Sequence, residues 1–252
     1  MDAAPEGDVS LLADAFRPYT FVDAFHFIGD NPHLILTKVV EHLELSGAAM
    51  GIALLLAIPL GVWLGHVHRG AFVAINVSNV GRALPSLAVI SIGLGFFGLG
   101  FWNVIFALTV LAWPPMLTNA YVAVDGVDPD VIEAARGMGM RDWQILLKVE
   151  LPLALPLIFA GIRTSAVYVV ATATLASFVG GGGLGDIIVN QASYFLAGVV
   201  AASLVISALA FTADVAFGGL QWLVTPRGLR QTARDVLEPD VSTPALADVE
   251  TA

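Results

Sequence analysis

The chain alternates long runs without charge and short polar inserts. From Leu45 to Gly65 no residue is charged, and a helix rising 1.5 Å per residue needs about 20 apolar residues to cross a hydrocarbon layer of about 30 Å. That run predicts one crossing. Residues 83–124 form an uncharged block too long for one crossing and long enough for two. Its glycine-rich stretch Gly93-Leu-Gly-Phe-Phe-Gly-Leu-Gly100 is the natural place to turn, which predicts spans near 76–96 and 102–124. Further spans are predicted over 157–179 and 194–222. Pro59, Pro85, Pro114 and Pro115 fall inside these spans and predict kinks with freed carbonyls.

Composition supports the pattern: 57% of the 252 residues are apolar and 13% are charged, outside the range of soluble domains. The net charge is −10, an acidic balance that argues against nucleic acid as a partner. With no cysteine, disulfide frameworks, thiolate metal sites and cysteine nucleophiles are excluded. The predicted layout is an acidic N-terminal tail over 1–44, a membrane domain over 45–226 and a C-terminal tail over 227–252. Lysine and arginine set orientation. An external N-terminus leaves only Arg17 and Lys38 outside and places Arg69, Arg82, Arg136, Arg141, Lys148, Arg163, Arg227, Arg230 and Arg234 inside. Phe16, Tyr19, Phe21, Phe25 and Phe27 would seat the external tail at the bilayer surface.

One sizeable polar insert, residues 125–155, separates the spans on the inner side. Asp128-Pro129 predicts a helix start, with Asp128 as N-cap and proline at the first helical position. Glu133-Ala134-Ala135 continues that helix and Gly137-Met-Gly139 ends it. A second short helix is expected from Asp142 to Val149, closed by Pro152. Met138, Met140, Trp143 and Leu146 would then be exposed unless a partner covers them.

Glu133-Ala134-Ala135, Gly139 six residues after the glutamate, and the closing Leu151-Pro152 resemble the EAA motif of permease subunits of ATP-binding-cassette importers. Val149 stands where isoleucine is more common. The resemblance implies an all-α integral membrane protein with a MetI-like fold, about five core transmembrane helices and a cytoplasmic coupling-helix loop in the plasma or inner membrane. It also implies that Asp128, Glu133, Ala134, Ala135, Gly139 and Met140 contact a partner ATPase. Asn79-Val-Gly-Arg-Ala-Leu-Pro85-Ser86, Glu150 to Thr164, Ala171-Thr172-Ala-Thr174 and Gly180 to Asp186 are similar to the osmoprotectant branch, whose members import glycine betaine, choline and related quaternary amines. Asn79, Pro85, Ser86, Thr172, Thr174 and Asp214 are the expected path residues. The implied partners are an ATPase using ATP and Mg, a second permease subunit, an extracytoplasmic binding protein and the bilayer. An importer of another solute such as methionine, or an ATP-independent channel or scaffold, are the alternatives.

No catalytic constellation and no phosphate-binding loop are present, so no cofactor is expected on this chain. Gly93–Gly98 and Gly180–Gly185 match the dinucleotide-binding spacing without the strand and helix that chemistry requires. Gly47 with Gly51, and Gly61 with Gly65, are spaced for close helix packing. Asp214 is expected to pair with Arg82 or Arg163, and Asp186 to be external and solvated. His26, His33 and His42 are assigned to the outer flank. His66 and His68, two apart at an inner edge, do not share a helix face and make a poor metal site.

Overall fold

The computed structural model describes residues 18–225, and these are helices and turns with no strand among them. Helix α1 spans Pro18–Asp30 and helix α2 Pro32–His66. Pro32 occupies the first helical position of α2, where its missing N–H costs nothing. No further breaker follows before Pro59, so the helix runs through the stretch expected to be tail and reaches 35 residues. At 1.5 Å per residue it is about 52 Å long and overhangs a hydrocarbon layer. The expected crossing at 45–65 is its second part; Phe16 lies outside the described residues.

The second expected crossing is broken into α3, Ala71–Ala83, and α4, Ser86–Phe97. Pro85 forces the preceding Leu84 into extended backbone (φ −70°, ψ 123°), which interrupts the helix rather than merely bending it. The chain then turns through Gly98 and Gly100, both at positive φ (69° and 107°), where glycine has no Cβ to clash. Helix α5, Phe101–Asp125, follows at the predicted place. After the 126–141 segment come α7, Asp142–Ile145, a π-turn Leu146–Glu150, α8, Leu151–Thr172, and a 3₁₀ segment Ala173–Val179. Helix α9, Gly185–Val189, and α10, Gln191–Val224, complete the described chain. Helices α2, α5 and α10 and the 142–179 run are each long and apolar enough to cross a membrane; the remaining expected crossing is the broken α3–α4 pair.

Helix α5 is the hub, packed against α2, α3, α4 and α8. Leu108, Ala112, Met116, Leu117 and Ala120 on it are buried in the main core. Close approach depends on glycine. A Cβ on Gly61 would lie 2.7 Å from Ala120 Cβ and 2.8 Å from Leu117 O, and one on Gly65 would lie 2.8 Å from Tyr121 O. Gly61 and Gly65 thus form the α2–α5 contact. Gly47 and Gly51, given the same role from spacing, have nothing within 4 Å of a built Cβ. Among the described residues no element packs against them.

The kinked region of α5 is laced by side-chain donors. Ser78 Oγ donates to Pro114 O at 2.8 Å, Ser165 Oγ to Ala112 O at 2.9 Å and Asn119 Nδ2 to Pro115 O at 2.7 Å. Thr118 Oγ1 donates in turn to Ser78 Oγ. In hydrocarbon these polar groups must find partners inside the bundle, and the carbonyls around the prolines supply them. Gly61→Leu should lower stability by about 1–3 kcal/mol through overpacking, while Gly51→Leu should leave it unchanged; denaturant titration in detergent micelles compares them.

Candidate functional site: the loop between α5 and α8

The 126–150 segment folds as a small unit of its own. Asp128 caps helix α6, Pro129–Gly137, by accepting a hydrogen bond from Asp130 N at 2.9 Å, with Pro129 at the first position as expected. Ile132 and Ala135 turn inward and form a core with Val127 and Ile145, flanked by Met140 and Val149. The helix ends in a Schellman motif: Gly139 N–H donates to Arg136 O at 2.9 Å and Met140 N–H to Ala135 O at 3.2 Å. Gly139 sits at φ +81°, so a residue with a Cβ there is strained. The six-residue spacing from Glu133 to Gly139 is therefore about one and a half helical turns plus the left-handed residue that stops the helix.

Helix α7 starts where Arg141 N–H donates to Gln144 Oε1 at 2.8 Å. Contrary to expectation it does not end at Pro152. The π-turn at Leu146–Glu150, with Leu151 N–H bonded back to Leu146 O, displaces the ladder just where the proline lacks its donor. Residues 142–172 thus run on as continuous helix into α8.

The residues assigned to partner contact divide. Glu133, Ala134 and Gly139 are exposed, with Met138 at 75%, Trp143 at 55% and Leu147 at 54% exposure beside them. Ala135 is 2% exposed and belongs to the internal core of the loop. Met140 and Leu146, expected to be open, are half-buried: Met140 packs on the loop's own core and Leu146 on the main core of the bundle. Asp128 acts as the cap.

Two histidines hold the ends of this unit. His66 Nδ1 lies 2.6 Å from Glu150 Oε2, and His68 Nδ1 lies 2.9 Å from Asp125 Oδ1. Glu150 is 1% exposed, and sequence reasoning quoted it without giving it a role; its signal was a carboxylate amid apolar residues directly before Leu151-Pro152. His68, Asp125, Glu133 and Arg136 line a cleft of about 440 Å³ beside α6. Among the described residues no three metal-ligating side chains converge.

The expected path residues lie at three places: the α3–α4 break, the end of α8 and the α8–α10 cleft. Asn79 and Pro85 are exposed and Ser86 is partly buried around the α3–α4 break. A separate apolar groove, lined by Asn76, Val80, Leu84, Trp113 and Pro114, lies between α3 and α5. Thr172 is buried and Thr174 half-buried at the end of α8. Asp214 lies in a cleft between α8 and α10 and takes two 2.6 Å hydrogen bonds from Arg163. That choice between the two expected arginines follows from α10 packing on α8.

At the opposite end of the bundle Asp186 is paired rather than solvated. Lys38 Nζ bonds it at 2.7 Å and Glu41 Oε2 at 2.8 Å, and Glu41 accepts from Gly183 N–H at 2.8 Å. The overhang of α2 carries Lys38 and Glu41 up to the glycine turn, which is why a solvated Asp186 was the wrong expectation. His42, assigned to the outer flank, is fully buried with Nε2 2.8 Å from Val170 O.

An apolar helical bundle with several helices long enough to cross a membrane, carrying one self-cored polar loop between two of them, defines a membrane component. The model for the inner membrane component of binding-protein-dependent transport systems matches residues 57–227, and the chain belongs to that family. It is 38% identical over 206 residues to the carnitine transport permease protein OpuCB of Listeria monocytogenes, covering 81% of this chain and 94% of the relative. Identity is also 38%, over 209 residues with the same coverage, to the glycine betaine/carnitine/choline transport system permease protein OpuCB of Bacillus subtilis. The osmoprotectant import permease protein OsmW of Salmonella typhimurium is 32% identical over 83% of this chain and its whole length. A chain of the MetNI methionine ABC transporter in an inward-facing crystal form superposes with TM-score 0.70 at 23% identity, covering 78% of this chain and 99% of its own length. The MetI-like fold follows.

Gly139→Ala should cost about 1–2 kcal/mol of loop stability through its left-handed backbone, and Asp128→Ala about 0.5–2 kcal/mol through the lost cap. Hydrogen exchange should report both as faster exchange over residues 129–140, with α5 amides unchanged.

Proposed function

We propose that this chain is the permease subunit of an importer for compatible solutes of the quaternary-amine class, such as glycine betaine, carnitine or choline. Support for the substrate comes from relatives at 32–38% identity whose names specify carnitine, glycine betaine, choline or osmoprotectants. The methionine transporter's likeness bears on fold alone and does not favour methionine.

The loop between α5 and α8 is the coupling element. One observation carries this reading: α6 and α7 share a private core, yet leave Met138, Trp143 and Leu147 exposed beside Glu133 and Ala134. A loop folded merely onto its own bundle would bury those side chains; a loop that fits a cleft in another subunit would present them. In this reading the loop faces the cytoplasm, the side favoured by the arginines and lysine, and the N-terminus lies outside. ATP and Mg act at the partner ATPase. Two permease subunits line the pathway, and an extracytoplasmic protein delivers the solute. Recognition of the quaternary amine by cation–π contacts would reside chiefly in that delivering protein.

Purification of the tagged chain from its source cells should bring down an ATPase subunit, and Glu133→Lys or Trp143→Asp should reduce its recovery tenfold or more. Deleting the chain should abolish uptake of labelled glycine betaine and choline under salt stress where no redundant system operates. Undiminished uptake in the deletion strain would overturn the substrate; equal ATPase recovery with both variants would overturn the coupling role.

A further inference from the structure

His66 and His68 sit at the last turn of α2 and just beyond it, and each reaches a different end of the loop. Asp125 closes α5 directly before the loop and Glu150 closes the π-turn directly after it. One two-residue step of α2 therefore holds both flanks of the same unit, at 2.9 Å and 2.6 Å. His68 adopts φ +48°, a region uncommon for residues other than glycine, whose cost must be met by surrounding contacts. In that conformation its ring meets Asp125, whereas a continued helix would point residues 66 and 68 to different sides of α2. Glu150 is nearly fully buried, and a carboxyl so placed persists where it has a specific partner. Its oxygen meets His66.

We propose that His66 and His68 form a clasp that binds both ends of the loop to α2, so that a displacement of the loop moves α2 with it. From α2 the movement would pass to the hub through Gly61 and Gly65, whose backbones touch α5 directly. The loop is joined to α5 and α8 by the chain itself and touches the main core through Leu146; the clasp adds a polar tie to α2. These are positioning residues and touch no cargo. The inference rests on the reading that the loop docks an ATPase.

The test uses the complete transporter, with permease, ATPase and binding protein, in proteoliposomes, and reads ATP hydrolysis and glycine betaine uptake separately. In His66→Leu, and in the nearly isosteric Glu150→Gln, uptake per ATP hydrolysed should fall tenfold or more while ATPase recovery stays within twofold of wild type. His66→Asn keeps a polar nitrogen near the position of Nδ1 and should stay within threefold of the wild-type ratio. His68→Gly accepts the positive φ but removes the ring, so its ratio should fall too; a purely conformational role for His68 would leave the ratio intact. A ratio that stays constant across Glu150→Gln and His66→Leu, whether both rates fall together or neither falls, would overturn the clasp. Wild-type uptake and the Trp143→Asp pull-down test the underlying coupling reading independently, so the two failures are told apart.

Discussion

Backbone-to-backbone approach onto helix α5 is the contact on which the rest of this bundle depends. At Gly61 and Gly65 on α2, and at Gly161 on α8, a built Cβ would lie within 3 Å of backbone or Cβ atoms of α5. Lipid tails are as apolar as leucine, so helix association in a bilayer relies on close packing and hydrogen bonds rather than on removal of apolar surface from water. The three glycines supply the packing. They also bring the ends of α2, α5 and α8 together on one side, which is where the loop is attached. Its location is thus a consequence of the hub and not of the loop's own sequence.

Polar side chains in the bundle follow the same constraint. Ser78, Asn119 and Ser165 donate to carbonyls of the proline-kinked stretch, and Gln221 Nε2 donates to Pro156 O at 3.0 Å. Arg163 and Asp214 satisfy one another through a planar, two-bond contact that fixes α10 against α8. Paired in this way, Asp214 ties α10 to α8.

Much of the fold was legible because charge-free runs report hydrocarbon crossings almost directly. The run 45–65 marked part of α2, and the glycines at 98–100 marked the turn before α5. What sequence could not give was extent. Nothing between Pro32 and Leu45 is apolar enough to count as a span, yet a helix once begun continues until something stops it. The cost of this omission appears in Asp186, expected to be solvated but bound by Lys38, and in His42, which is buried; both follow from the unseen overhang of α2. The loop was legible for a different reason: the cap, the small residues and the stopping glycine are local features, fixed by a few consecutive residues. Met140 and Leu146 were misread because their burial depends on packing against the loop's own core and the main core of the bundle, which is not contained in spacing. Glu150 and His66, 84 positions apart, leave no joint trace in a single sequence.

The π-turn has a mechanical consequence. Pro152 would ordinarily end the helix that begins at Asp142, leaving a flexible joint between loop and bundle. The widened turn at 146–150 instead carries the helix past the proline into α8. One half of the loop is then a direct extension of a core helix, whereas the other half, α6, is joined to α5 by the turn at Gly126 and Val127. Force applied at Trp143 would reach α8 through continuous helical backbone, while force at Glu133 reaches α5 through a turn. A loop built in this asymmetric way needs its two halves to be fastened to each other, and the core of Val127, Ile132, Ala135 and Ile145 does so. The buried alanine of the motif therefore matters less for contact with a partner than for making the two halves move as one.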